Sequence, residues 1–251
     1  MQNSDGWQAA PSLSVADEHV HVWRIDLEQP DAVLGALEDL LAEDEKARAH
    51  RFRFVRDRRR FTVARAALRQ ILADCLGVEP RSVEFSTGPY GKPRLTEGNL
   101  RFNVSHSGGL ALVAVARNRE LGVDIEELRP MDDAEDLADR FFSAPESRKL
   151  RTALDSASRT RGFFECWSRK EAFIKAIGEG LSHPLDSFEV SFYPDTAVTL
   201  RLGSGDSGKW VLRNIDPGPG YCGAIVFERG SCGNDPDIHL WEWRPGVWQS
   251  P

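Results

Sequence analysis

Nowhere does the sequence offer the roughly 20 successive apolar residues that a membrane-spanning helix needs. Met1 to Ala16 lacks the basic start and the apolar stretch of a secretory signal, so export is not expected. Cysteine is scarce. Cys75, Cys166, Cys222 and Cys232 stand far apart, without the paired spacing of a zinc site or redox motif, and are expected to be reduced and mostly buried. Positive charge is in deficit: 32 Lys and Arg against 39 Asp and Glu give a net charge of −7. That balance excludes broad attraction to nucleic acid or anionic lipid. A cytoplasmic protein with no nucleic-acid and no membrane partner is the expectation.

What is present is the composition of an ordinary folded chain, 41% apolar and 28% charged. Its 251 residues allow one large domain or two packed halves of about 120 residues each. The charge is uneven. Between Arg48 and Arg69 nine arginines stand against one acidic residue, Asp57, a positive wall for a polyanionic small ligand.

His19 to Asp26 alternates apolar and polar residues and predicts a strand. From Glu43 the pattern turns helical. Phe61, Ala64, Leu68, Leu72 and Cys75 mark its inner face, and Gly77 stops it. A Gly/Pro loop at Ser86 to Pro93 leads into strands at Arg101 to Val104, Leu110 to Ala116 and Leu121 to Glu126. Asp132 to Asp139 predicts a short helix, and Thr160 to Ile177 a long one closed by Gly178 and Gly180. Strands are then expected at Ser187 to Tyr193, Val198 to Leu202, Trp210 to Ile215, Tyr221 to Phe227 and Ile238 to Trp243. The class is α+β. The element order suggests two similar halves joined near Arg117 to Glu120, with no repeat of residues to prove it.

Four segments carry candidate chemistry. In Gly122-Val123-Asp124-Ile125-Glu126, strand alternation puts Asp124 and Glu126 on one face, where a hard cation such as magnesium finds oxygen ligands. Acidic residues at a strand end are also commonly just solvated. On the long helix Glu171 and Lys175 share a face, either as a surface ion pair or as ligands of metal and phosphate together with Lys170. Ser105-His106-Ser107-Gly108-Gly109 is a plain hairpin turn or a phosphate-binding one. Lys92, in Gly91-Lys92-Pro93, is a loop lysine or a ligand contact.

Taken in order, Gly91-Lys92-Pro93, Phe102-Asn103-Val104-Ser105-His106-Ser107, Gly122-Val123-Asp124-Ile125-Glu126, Arg140-Phe141-Phe142-Ser143 with Glu146, and Trp167-Ser168-Arg169-Lys170-Glu171-Ala172-Phe173-Ile174-Lys175 resemble the 4'-phosphopantetheinyl transferases of the surfactin-synthetase-activating type. The resemblance covers Arg53 to Phe188. It implies two pseudo-symmetric α/β halves, residues 1–118 on the coenzyme A nucleotide side and 119–251 carrying metal and catalytic helix, with a Trp-rich extension from about 230. It implies transfer of the phosphopantetheine arm of coenzyme A to a serine of an acyl or peptidyl carrier protein, with release of 3',5'-ADP. Polyketide, nonribosomal peptide, siderophore and fatty acid pathways all use such carriers.

Residue by residue, the resemblance implies magnesium on Asp124, Glu126 and Glu171, pyrophosphate on Lys175 with Lys170 near it, and Glu171 as base, directly or through a metal-bound water. It sets Ser105 and His106 at the ribose phosphate, Lys92 on the adenine side, and Arg53 and Arg60 at the 3'-phosphate. Glu146 would help position water. The segment from Arg140 to Arg151 offers a landing surface for an acidic carrier, and a monomer is expected, since one chain holds both halves. Two rivals are a coenzyme A-binding regulator without turnover and a magnesium-dependent nuclease.

Overall fold

The computed structural model describes residues 6–10, 15–203, 207–230 and 235–246; Cys232 and Trp248 lie outside them. In chain order the elements are β1 (Gln8–Ala9), β2 (His19–Asp26), α1 (Asp31–Glu38), α2 (Glu43–Ala49), α3 (Val55–Leu76), β3 (Phe85–Thr87), β4 (Pro93–Leu95), β5 (Leu100–Ser107), β6 (Leu110–Arg117) and β7 (Leu121–Glu127). There follow α4 (Ala134–Phe141), α5 (Ala144–Arg151), α6 (Ser156–Ile177), β8 (Phe188–Val190), β9 (Leu200–Leu202), β10 (Trp210–Ile215), β11 (Tyr221–Glu228) and β12 (Asp237–Glu242). No helix among the described residues is long and apolar enough to cross a membrane.

Two sheets form the frame, one of five strands in the order β1-β12-β2-β6-β5 and one of three in the order β10-β11-β7. Val20, Val22, Leu112 and Ala114 of the first sheet meet Val123, Ile125, Ile225 and Phe227 of the second in a buried apolar layer. Helix α3 covers the outer face of the first sheet through Ala67, Ile71 and Leu72. Helix α6 covers the second through Phe164, Ala172 and Ile174.

The halves are copies in topology. Helices α3 and α6 each span 22 residues, Val55 matching Ser156 and Leu76 matching Ile177, a constant displacement of 101 positions. Each ends on a glycine in the left-handed region, Gly77 (φ 67°) and Gly178 (φ 79°), as a helix C-terminus favours. The three-strand order β2-β6-β5 repeats as β7-β11-β10. Asp26 faces Leu110 as Glu127 faces Tyr221. The same closing bond recurs just beyond, Leu27 N–H to Gly109 O and Leu128 N–H to Gly220 O, both at 2.8 Å. The doubled architecture expected from element order is therefore real, although almost no side chain repeats.

Three details differ from the sequence reading. The helix expected from Glu43 is broken at His50–Phe54, and the break lets Phe52 fold back over Phe61 with ring centroids 5.3 Å apart. Residues nine apart in one helix would be about 13 Å apart along its axis. The Ser187–Tyr193 and Val198–Leu202 strands shrink to the three-residue pair β8 and β9. The tail strand β12 returns to the first sheet, parallel to β2, and Trp241 and Trp243 join that half's core.

Candidate functional site

Where the two sheets meet, β7 has no strand on its second edge among the described residues. Side chains of β5 close it instead: Asn103 Oδ1 accepts from Val123 N–H at 2.9 Å, and Ser107 Oγ accepts from Glu127 N–H at 3.0 Å. Alternation places Ser105 between them, and its hydroxyl donates to Asp124 Oδ1 at 2.7 Å. Ser107 in turn donates to Glu126 Oε2 at 2.9 Å.

Helix α6 reaches this seam because Gly122 lets it. A Cβ at Gly122 would lie 2.2 Å from Ala172 O and 2.3 Å from Ala176 N, so backbone packs on backbone there. Lys175 then extends one turn beyond Glu171 and donates to Asp124 Oδ1 at 2.5 Å and Ser105 Oγ at 3.0 Å. A glycine inside a strand is the sequence signal for such close approach. Sequence reasoning quoted Gly122 and Ser107 within motifs and assigned neither a role.

The electrostatics converge on the three acids. Burial pushes the Asp124 carboxyl above the usual range, against the Lys175 ammonium and the Ser105 hydroxyl. Burial and then the charge of Asp124 push Glu126 up. Glu171 is raised by burial, with Lys175 opposing and Asp124 and Glu126 adding to the rise. Asp124 Oδ2 is buried with no partner. Among the described residues no three His, Cys, Asp or Glu side chains already stand together as a cation cage. The Lys175 ammonium supplies positive charge at this place.

Beside the seam lies a cavity of about 320 Å³, walled by Arg60, Phe61 and Ala64 of α3, Phe52, His106 and Ser107 at the end of β5, and Gly108 of the turn that follows. Arg60 donates to Glu28 Oε1 at 2.7 Å through Nε. His106 is held below the usual histidine value by desolvation and by the charge of Lys175, which ties the cavity electrostatically to the acids. The structure thus brings Asp124, Glu126, Glu171, Lys175 and Ser105 together at the seam, and sets His106 and Arg60 in the wall of the adjoining cavity. Arg53 is exposed and lies over the Phe54 ring at 5.5 Å, outside the cavity wall.

Two predicted cofactor lysines serve the fold instead. Lys170 is fully buried and donates to Leu185 O and Phe188 O, both at 2.6 Å, with Glu146 Oε2 at 2.8 Å. These three acceptors take all its ammonium protons and leave none for a phosphate, and one residue's rotation carries it off the face shared by Glu171 and Lys175. Glu146 is corrected with it. Its carboxylate also accepts from Ser143 N–H at 2.9 Å, closing a capping box on α5, and from Val190 N–H at 2.7 Å. Lys92 likewise donates to Glu120 Oε2, Leu121 O and Ala176 O at 2.9 to 3.1 Å, pinning the β3–β4 hairpin to β7 and α6.

Comparison with known proteins gives the family. A profile described as the 4'-phosphopantetheinyl transferase superfamily matches residues 120–226, and one described as 4'-phosphopantetheinyl transferase, N-terminal, matches residues 29–118. The 4'-phosphopantetheinyl transferase HetI of Nostoc is 39% identical over 242 residues, 95% of each chain. The 4'-phosphopantetheinyl transferase Sfp of Bacillus subtilis is 32% identical, covering 79% of this chain and 84% of its own. Psf-1 of Bacillus pumilus is 34% identical, covering 80% and 85%. A solved structure titled Chronobacterium ammoniagenes ACPS-CoA complex covers 43% of this chain and 95% of its own at 22% identity and a TM-score of 0.33, too slight a likeness to carry weight. The regulator and nuclease readings find no support among these relatives, and the chain belongs to the 4'-phosphopantetheinyl transferases of the Sfp type.

Proposed function

We propose that the cleft between β5 and β7 holds coenzyme A, its nucleotide end in the cavity beside Arg60 and His106 and its pyrophosphate against Lys175. The reaction itself follows from the family: the chain transfers the 4'-phosphopantetheine arm of coenzyme A to a serine of an apo carrier protein and releases 3',5'-ADP. Within that reaction Lys175 lies where it can release Asp124 and turn its ammonium to the phosphates, offsetting charge on the departing nucleotide. Glu171, on the same helix face, takes the proton of the attacking serine hydroxyl.

One observation carries the metal assignment. Asp124 Oδ2 is buried without a partner, on a strand whose next outward residue is Glu126 and against a helix bearing Glu171. An all-oxygen donor set of this kind suits magnesium, and a cation relieves acids that burial pushes up and of which Asp124 raises both Glu126 and Glu171. We assign Asp124, Glu126 and Glu171 as its ligands. When bound, magnesium supplies neutralisation of charge on the pyrophosphate.

The carrier docks on α4 and α5 in this reading. Phe142 is core and Phe141 packs on Trp167 with centroids 5.8 Å apart, which leaves Arg140 and Arg148 as exposed cations beside Arg151, which is paired with Asp139. The division at residues 118 and 119 into a nucleotide half, to which β12 returns, and a catalytic half belongs to the same proposal, as do monomeric function and a cytoplasmic setting. Intact-protein mass spectrometry of an apo carrier incubated with the enzyme, coenzyme A and magnesium, with an EDTA control, tests it. The expected result is one phosphopantetheine per carrier, lost with EDTA. Transfer that persists in EDTA removes the metal assignment, and absence of coenzyme A binding removes the cleft assignment.

A further inference from the structure

The turn that follows His106 has no side chain of its own to fix it. Between β5 and β6 stand Gly108, in the left-handed region at φ 55°, and Gly109, and a glycine pair leaves the backbone free to take up other conformations. His106, Ser107 and Gly108 nevertheless form part of the wall of the cavity beside the seam, so the shape of that wall depends on where the turn is held. A loop that has to be ordered when its ligand arrives weakens binding by the entropy it loses, and one already held does not.

The restraint comes from the other half of the chain. Gly109 N–H donates to the hydroxyl of Tyr221, the first residue of β11, at 3.0 Å, and that hydroxyl donates in turn to Glu127 Oε1 at 3.5 Å. Glu127 also closes over the turn. A Cβ on Gly108 would lie 2.7 Å from Glu127 Cδ and Oε2 and from the Tyr221 hydroxyl, so the two side chains occupy the place a larger residue would need. The pairing of Glu127 with Tyr221 is the counterpart of Asp26 with Leu110 in the first half, where leucine offers no hydroxyl. The opposite turn, between β10 and β11, is held across the seam by other groups, Arg24 Nη1 donating to Pro217 O at 2.7 Å and Trp7 Nε1 to Asp216 O at 2.9 Å. Each half thus holds the other's turn.

We propose that Tyr221 is a positioning residue for coenzyme A: through Gly109 N–H it fixes the turn that sets His106 and Ser107 at the nucleotide end, without itself lining that cavity. The inference rests on the placement of coenzyme A in the cleft between β5 and β7. Contacts to the nucleotide end are made before the reaction and kept through it. Loosening them weakens ground state and transition state alike, which raises KM and leaves kcat as it was.

Tyr221→Phe keeps the ring and removes the acceptor. The Kd of coenzyme A, measured by calorimetry without carrier, and its KM in the mass-spectrometric transfer assay should both rise roughly fivefold, as loss of one hydrogen bond implies, with kcat at saturating coenzyme A unchanged. Gly108→Ala breaks the same contact from the other side and should also raise both. In the double variant the two effects should fall short of their sum, since both act on one contact. Arg60→Ala is the control for the cleft itself. Unchanged Kd and KM in Tyr221→Phe beside weakened binding in Arg60→Ala would overturn the role of Tyr221 and leave the cleft assignment standing; unchanged binding in both would remove the cleft assignment and the role with it. A lower kcat at unchanged KM, or fully additive losses in the double variant, would equally overturn the proposal.

Discussion

Acid should loosen the junction between the first sheet and the tail strand, and His21 sets the size of the effect. This imidazole is 2% exposed, lies opposite His239 across the β2–β12 pairing, and its Nδ1 accepts from Trp241 Nε1 at 3.0 Å. Burial, then the charges of His239 and His19, lower its pKa from 6.5 to about 4. A base kept neutral by the fold binds its proton more readily in the unfolded chain. Its contribution is therefore fully present above pH 6.5 and is lost as pH falls towards 4. The loss is about 1.4 kcal/mol at pH 5.5, about 2.5 kcal/mol at pH 4.5 and approaches about 3.4 kcal/mol below pH 4. His21→Asn keeps an acceptor for Trp241 and removes the titration. Urea unfolding of both proteins between pH 7.5 and 4.5 should give a steeper decline for the parent chain, the excess growing by about 2.5 kcal/mol over that range. Parallel declines would show that His21 is not held neutral and would refute the argument.

Glu171→Gln should abolish transfer in the mass-spectrometric assay and leave the circular dichroism and melting of the fold intact; an active, magnesium-requiring variant would end its assignment as base. Gly122→Ala should destabilise by about 1–3 kcal/mol and also cut transfer, because an overpacked contact lifts α6 from β7 and separates Lys175 from Asp124. An unchanged denaturation midpoint would contradict that contact. Lys170→Met should destabilise by about 3–5 kcal/mol by leaving Glu146 buried and unpaired, with no change in coenzyme A affinity of the folded fraction. Selective loss of coenzyme A binding in a stable protein would return Lys170 to the cleft. Arg148→Glu should weaken carrier binding in calorimetry while sparing coenzyme A, and equal carrier affinity would move the docking surface elsewhere.

Most of the site was legible in the sequence because strand and helix periods determine faces. Asp124 with Glu126, and Glu171 with Lys175, needed only alternation and the four-residue helical step to be grouped. What the sequence could not tell is where an ammonium ends up. Lys170 and Lys175 are both conventional phosphate-binding candidates, yet one is fully buried on carbonyls and Glu146 while the other reaches Asp124. Lys92 shows the same limit, its proton acceptors coming from residues 28 and 84 positions away. The fold was readable in its repeat of elements. The break between α2 and α3 was not, because the ring contact between Phe52 and Phe61 that it allows is one no periodicity encodes. Nor was the return of β12 to the first sheet, since strand partners so distant in sequence leave no local mark.

That return explains why a doubled fold has one seam of acids and lysine. In the second half the outer edge of β7 carries no strand among the described residues, and Asn103 and Ser107 of β5 close it by side-chain hydrogen bonds that bring Ser105 onto Asp124. In the first half the same edge belongs to β2, and there β12 forms a full parallel pairing from Asp237–His19 to Glu242–Arg24. A strand in that position excludes β10, the counterpart of β5, from making the equivalent seam. With no partner strand to supply hydroxyls and no lysine to offset charge, acids at positions 23 and 25 would be buried unpaired, at a cost of several kcal/mol each. Trp23 and Ile25 occupy them instead, buried against α3. The asymmetry of charge between the halves thus follows from the asymmetry of one strand pairing.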